Sequence, residues 1–508
     1  MKESSWWKGE RSAGAFFLLA FAFLFVFFTQ VHPFVVYDGD DWRYIAYTRQ
    51  ALPNWNEWNP SRVFAECFAP MTGYFAAYVL FPLLGDYFRA LTVAAALLTS
   101  TMITGYLYVF YRMVRGTEDG RFRALALTAI FLFFHFLIMK TERTGNPHMF
   151  STANFTCLYY YVMPMLLNGA LVMLVAWQGR LEEIYRRTTP IQAGFLSFWI
   201  YFAVFSNVFQ SIIFPAFLGV YVLYDFLAQR GMPIRSWLRG HRAELVVLGV
   251  WLFSLAIEMR GGRAHAIGQD FFHLPFGAVW QTALSSIHHV NAGVVGAGLV
   301  FIVLAAVSAW RRRGDADGRR TLGVLAASFA GMVLTFVFLF LVCAKAGPGY
   351  FGRADVFSSV LFFLVFAIVY AMDALVRRYP ALVKALPIVT FVVMIAAMNP
   401  NRGFHESTSG GLPAQTCYAV DADILQQVLD AQATGATQAT IHVPLGNGAS
   451  NWPHDFFLKN VLRNTLTRHG LLVRPLELTI EPDAAMNETY HLPVPTQEPQ
   501  REGSRNDG

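Results

Sequence analysis

The sequence predicts a mainly α-helical, polytopic membrane protein of about eleven transmembrane helices, with a small extracytoplasmic α/β domain at its C-terminus. Three observations lead there. The 508 residues are 55% hydrophobic and only 14% charged, against about 25% charged in soluble domains. Apolar runs recur at close to the ~20 residues needed to cross a bilayer core of about 30 Å. The arginines stand between those runs rather than inside them, which makes their placement a topological signal. Gly 39 and Pro 23 are near average usage, so collagen-like and low-complexity chains are excluded. A net charge of +6 comes without a basic cluster interleaved with aromatics, so nucleic acid is not an expected partner. Four cysteines lack C-x-x-C spacing, which leaves no zinc site or disulfide framework and only Cys67–Cys417 as a conceivable pair.

The first run, Ala13–Val36, follows Lys2, Lys8 and Arg11. It is longer than the ~7–15 residues of a signal-peptide core and no A-x-A site follows, so it reads as a retained anchor with its N-terminus in the cytoplasm. Further spans are expected at 88–111, 124–139, 151–177, 193–206, 209–228, 244–259, 291–310, 321–343, 355–373 and 383–399. The Arg-rich loops 112–123, 178–192, 229–243, 311–320 and 374–384 then fall on one side, the cytoplasmic side by the positive-inside rule. Segment 69–85 is apolar enough to span. Counting it would place two Arg-rich loops outside, so a re-entrant or interfacial helix is preferred within a first outer loop of 37–87.

The membrane part therefore ends near Asn399. From 400 to 493 Gly, Pro, Asn, Gln and Thr rise and no run reaches spanning length. A helix near 421–433, a strand at 438–443, a helix near 454–469 and a strand near 474–480 make an α/β module, and 494–508 reads as a disordered tail.

The outer loops carry the candidate chemistry. Asp38, Asp40 and Asp41 crowd the end of the first span, where mutual repulsion and partial desolvation raise a carboxyl pKa and suit a general base or metal ligand. Asp41 alone also fits as the N-cap of a short helix from Trp42. Asn59-Pro60 reads as a helix start that sets Arg62 and Glu66 one turn apart, with Glu66 in a surface ion pair. Outer-loop cations come in pairs, Lys140 with Arg143, Arg260 with Arg263, and Lys345 with Arg353. They run against the insertion bias, so an anionic ligand is sought for them; snorkelling toward lipid headgroups is the plain alternative. The Lys345-to-Arg353 loop, with three glycines and a proline, suits close approach to a phosphate. His265, His273, His288 and His289 share one loop with Asp270, but no H-x-x-x-H or H-E-x-x-H spacing marks a metal site.

An N-terminal anchor, an outer loop with an Asp-Asp pair at Asp40–Asp41, many later spans with outer Arg or Lys, and a soluble outer C-terminal domain together resemble the GT-C class of polyprenyl-phosphate-sugar-dependent glycosyltransferases. Segment 150–164, Phe150-Ser-Thr-Ala-Asn-Phe-Thr-Cys-Leu-Tyr-Tyr-Tyr-Val-Met-Pro164, is similar to an outer-loop-to-helix stretch of bacterial relatives of that class. The resemblance implies that Asp40 or Asp41 is the catalytic base. Its donor is a polyprenyl-phosphate sugar and its acceptor a cell-surface glycan or glycolipid, met at the outer face of the bilayer. A departing phosphate needs no protonation, so one base plus cations suffices. Arg62, Lys345 or Arg353 would then stabilise the developing charge, with Asp38, Glu66 and His265 in support. Members of the class are metal-dependent or metal-independent, so a divalent cation is neither required nor excluded. Two other classes fit the layout. An O-antigen polymerase or ligase would rely on Arg260, Arg263 and His265; a transporter or flippase of lipid-linked saccharides would show a broken helix, for which Ser206-Asn207 is the candidate.

Overall fold

A computed structural model describes residues 3–36, 39–47, 62–116, 120–140, 146–152, 154–228, 233–259, 274–385, 412–446 and 455–493. The chain is mainly helical. Among the described residues eight helices are long and apolar enough to cross a membrane: Arg11–Val31, Val63–Leu84, Tyr87–Arg115, Phe155–Gln178, Val208–Leu227, Ala292–Arg311, Ala316–Ala346 and Ala354–Arg378. Seven of these match expected spans, Val63–Leu84 covers the segment expected as re-entrant or interfacial, and the four other expected spans differ for local reasons. Helix Arg121–Leu137 has 17 residues and Pro190–Val204 has 15, both shorter than the ~20 typical of a crossing. Helix Arg242–Met259 carries Arg242, Glu244 and Glu258 within its 18 residues, near its two ends. The run 383–399 lies almost wholly outside the described residues.

Helix ends are set by local chemistry. Asp86 caps the 87–115 helix by accepting from Arg89 N at 3.0 Å, and Asp315 caps the 316–346 helix by accepting from Gly318 N at 2.6 Å, each satisfying an orphan N–H of a first turn. Pro190 follows Thr189, which forms a capping box with Gln192. The 354–378 helix is the axis of the bundle and is buried along nearly its whole length. Gly298 and Gly331 let two neighbours close on it. A methyl group there would stand 2.3 Å from Ile368 and 2.8 Å from Phe363, distances no packed core accepts.

The bundle has two chemically distinct ends. The described residues of the five basic loops share one: Arg112 lies over Trp177, Arg123 pairs with Asp373 at 3.4 Å, and Arg320 donates to Ala176 O at 2.9 Å. Arg377 meets Asp317 at 3.7 Å, and Ala243 N donates to Glu182 at 3.2 Å. The other end gathers residues 32–36, 39–47, 86–92, 154–161, 205–211 and 345–356 together with the described part of the C-terminal segment. Helix Val63–Leu84 has apolarity enough to span, yet it touches this second end along its length. Val63 N donates to Phe205 O at 3.2 Å, Tyr74 Oη to Ala46 O at 3.0 Å and Tyr78 Oη to Arg468 O at 2.7 Å. The Ser206-Asn207 break lies at that end too, a turn in which Asn207 caps the following helix.

The C-terminal segment runs helix Ala414–Ala433, strand β1 Gln438–Pro444, helix Asp455–Arg468, strand β2 Glu477–Asp483 and helix Ala484–Thr489. β1 and β2 pair in parallel, from Gln438 opposite Glu477 to Pro444 opposite Asp483. Parallel neighbours require a crossover, which the 455–468 helix supplies. Its buried Cys417, Val420, Ile424 and Leu466 belong to the same apolar cluster as Trp42 and Phe88, so this unit packs directly on the helical bundle. All four cysteines are free thiols, and the Cys67–Cys417 bridge does not form.

Candidate functional site

The site is built around a six-residue helix, Gly39–Tyr44. Two acids in its first turn suit the positive end of its dipole, and Trp42, 2% exposed, anchors it in the core. Asp41 and Asp40 then part ways. Asp41 is fully buried and accepts from Phe155 N at 3.2 Å and Thr156 N at 2.6 Å. It therefore caps the 155–178 helix across space. The expectation that it caps a helix from Trp42 is corrected: that helix already starts at Gly39, and the orphan N–H groups within reach belong to another segment. Asp40 is half-buried and, among the described residues, has no hydrogen bond or ion pair. Of these two acids it is the one without a partner among the described residues.

The residues around this helix are mostly locked. Arg62 holds Glu258 through two bonds, Nε to Oε1 at 2.9 Å and Nη2 to Oε2 at 2.7 Å, a fork geometry that fixes both side chains. Its backbone is left-handed, φ 60°, a conformation costing about 1–2 kcal/mol for a residue with a Cβ, which the Glu258 fork offsets. Glu66 is 3% exposed and accepts from Tyr160 Oη at 3.1 Å. The expected surface ion pair is thus corrected to a buried group, because the 63–84 helix turns this face toward the 155–178 helix rather than to solvent. Arg353 forks onto Asp355 at 3.0 and 2.6 Å, donates to Cys157 Sγ at 2.9 Å and stacks on Tyr161. The two arginines each commit Nε and Nη2 to a carboxylate, and Nη1 lies outside those bonds.

Lys140 ties two segments together. Its Nζ donates to His288 O and its N–H to His289 O at 2.9 Å, so it serves as a strut between the 121–137 helix and the turn after Phe276–His288. Lys345 ends the 316–346 helix, half-buried. Asp38, Arg143, Arg260, Arg263, His265, His273 and Asp270 lie outside the described residues. Among the described residues no group of three or more His, Cys, Asp or Glu is placed to hold a metal ion.

One acid escaped sequence reasoning. Asp421 sits on the 414–433 helix, 1% exposed, with Oδ2 lacking a hydrogen-bond partner. Burial, and after it the neighbouring Asp41 charge, push its carboxyl well above the usual carboxylate range. A signal was present: Cys417, Val420, Ile424, Leu425 and Val428 form an apolar stripe, and Asp421 interrupts it at helical spacing. His469 was also missed. It is buried, bonded through Nδ1 to Tyr87 Oη at 2.6 Å and through Nε2 to Ile45 O at 3.1 Å.

Compared with known protein families, with curated proteins and with solved structures, the chain matches none. Its chemistry is therefore read from its own residues.

Proposed function

We propose that this chain is a membrane glycosyltransferase that moves a sugar from a polyprenyl-phosphate donor to a cell-surface glycan or glycolipid acceptor. The observation that carries the reading is Asp40. It is a half-buried carboxylate without a partner among the described residues, on a helix held at the bundle end opposite the basic loops. Such a group can accept a proton from an acceptor hydroxyl within hydrogen-bond reach. The oxygen so activated attacks the anomeric carbon, whose bond to the phosphate oxygen breaks, and the phosphate departs as an anion. The outer Nη1 groups of Arg62 and Arg353 are the donors we assign to that charge, and apolar helix faces to the prenyl tail. Neither step requires a metal.

We place the basic end in the cytoplasm and the C-terminal unit outside, in a bacterial inner membrane. Grouping of all five Arg-rich loops at one end supports this orientation. The reading of eleven crossings treats helix 63–84 as lying along the outer end. It also takes the chain between Arg378, at the basic end, and Tyr418, which bonds Thr92 at the other, as one further crossing. A cysteine introduced in 311–320 should resist an impermeant reagent added from outside. Labelling there would invert the assignment and remove Asp40 from the outer face.

The deciding experiment is Asp40→Asn in membranes supplied with polyprenyl-phosphate sugars, alongside lipid and glycan extracts of a strain lacking the protein. The expected result is loss of sugar transfer with normal membrane expression, and a strain whose surface glycan or glycolipid lacks one sugar. Transfer retained by Asp40→Asn would remove the base from this reading. Full loss in an Arg260 or Arg263 variant, with Asp40→Asn active, would move it to the polymerase or ligase class.

A further inference from the structure

The helix that carries Asp40 has six residues, well below the ~12–15 at which an isolated helix is even marginally stable in water. The carbonyls of Trp42 within it and of Ile45 and Ala46 just past its end also need partners from elsewhere. Those partners come from the far end of the chain. Thr465 Oγ1 donates to Trp42 O at 2.6 Å, His469 Nε2 to Ile45 O at 3.1 Å and Arg468 Nη1 to Ala46 O at 3.1 Å. Thr465 and His469 are 2% and 3% exposed, so their two bonds are shielded from water.

The protonation pattern of this cluster is determined by its geometry. A carbonyl only accepts, so His469 carries its proton on Nε2; Nδ1 then accepts, and the Tyr87 hydroxyl is the donor to it. Tyr87 begins the 87–115 helix, and Tyr418 Oη bonds Thr92 Oγ1 one turn later at 2.6 Å. The C-terminal unit is thus fastened to a membrane helix on one side and to the Asp40 helix on the other. The 63–84 helix closes the third side, where Tyr74 Oη donates to Ala46 O at 3.0 Å and the Gly73 backbone lies against Ile45 O.

We infer that the C-terminal α/β unit is a clamp that sets the position of Asp40, with Thr465 and His469 as positioning residues that act through the carbonyls of Trp42 and Ile45. The inference rests on the reading of Asp40 as base. It means that sugar transfer depends on docking of residues 414–493 even where that unit never touches the donor.

The test uses the full-length protein carrying Thr465→Val, which keeps the shape and removes the donor, and Thr465→Ser, which keeps the donor. His469→Phe is a second disruption that preserves the ring. Hydrogen exchange is followed at the amides of Ile45 and Tyr47, which bond to Asp41 O and Arg43 O, together with kcat and KM for sugar transfer. Thr465→Val should speed exchange by about three- to tenfold, the loss of one buried hydrogen bond, and lower kcat at unchanged KM, while Thr465→Ser restores both. Unchanged exchange in both Thr465→Val and His469→Phe would overturn the clamp, as would an equal kcat loss in Thr465→Ser. Faster exchange in a protein whose wild type transfers no sugar would uphold the clamp on this helix and overturn the reading of Asp40 as base.

Discussion

Replacing Gly73 by alanine tests the site through a single methyl group. Gly73 lies inside the 63–84 helix, where a glycine-to-alanine change ordinarily stabilises by about 0.5–1 kcal/mol. Here the new Cβ would stand 1.9 Å from Ile45 O and 2.8 Å from Ile45 C. An ordinary carbon-to-oxygen contact begins near about 3.3 Å, so the Ile45 carbonyl has to retreat by roughly 1.4 Å. That oxygen accepts from His469 at 3.1 Å, and a retreat of this size breaks the bond or drags the 455–468 helix with it. Overpacking of this kind costs about 1–3 kcal/mol, which reverses the sign expected for an exposed helix position. Displacement of a catalytic group by about 1 Å lowers rates by about a hundredfold, and Asp40 is five residues from Ile45 on the same short segment. Thermal unfolding of the purified protein and initial rates of sugar transfer measure the two effects. A Gly73→Ala protein that is more stable than wild type, with transfer within twofold, would refute the claim that this contact holds the Asp40 helix in place.

Other substitutions separate the acids. Asp41→Ala should lower stability by about 2–3 kcal/mol, since it removes two buried charge-assisted bonds to backbone N–H groups, whereas Asp40→Asn should change stability by less than about 0.5 kcal/mol; thermal denaturation of both distinguishes cap from base. Asp421→Asn should raise the melting temperature at neutral and alkaline pH. A carboxyl whose folded pKa is raised gives stability that is present below its unfolded value near 3.8 and is lost as pH rises, so the gain over wild type should vanish in acid. His469 has the opposite sign. Burial lowers its pKa from 6.5 to about 4, so its contribution is present above pH 6.5 and is lost as pH falls toward 4, by up to about 3 kcal/mol. The groups facing it are the Tyr87 and Tyr74 rings and the Ile45 carbonyl, with Asp421 beyond Tyr87. In the Asp421→Asn background His469→Phe should therefore reduce the acid loss of stability by this share; an unchanged acid profile in that double variant would assign the effect to other groups.

What the sequence disclosed and what it hid divide along the range of the interactions. Apolar runs and their Arg-rich borders are local signals, and they located the helices that follow Arg11, Tyr87, Ala292, Ala316 and Ala354. The alternation in 438–443 and the helical pattern before and after it likewise located β1 and its flanking helices. The roles of Asp40 and Asp41 were not separable in this way, because neighbouring acids look alike until one meets the N–H groups of Phe155 and Thr156, more than a hundred residues away. Arg62 looked like a free cation for the same reason, since Glu258 lies 196 residues from it; the partner of Arg353, Asp355, is only two residues away, so range does not account for that pair. Asp421 interrupts an apolar stripe and Gly73 sits within an apolar helix, features that a periodicity reading registers as flaws in a pattern. In the folded chain both mark where a second element comes against the first. A position that breaks the local rule without ending its helix is therefore the most informative kind of residue in such a sequence. Here both such positions fall on the surfaces that enclose the helix of Asp40.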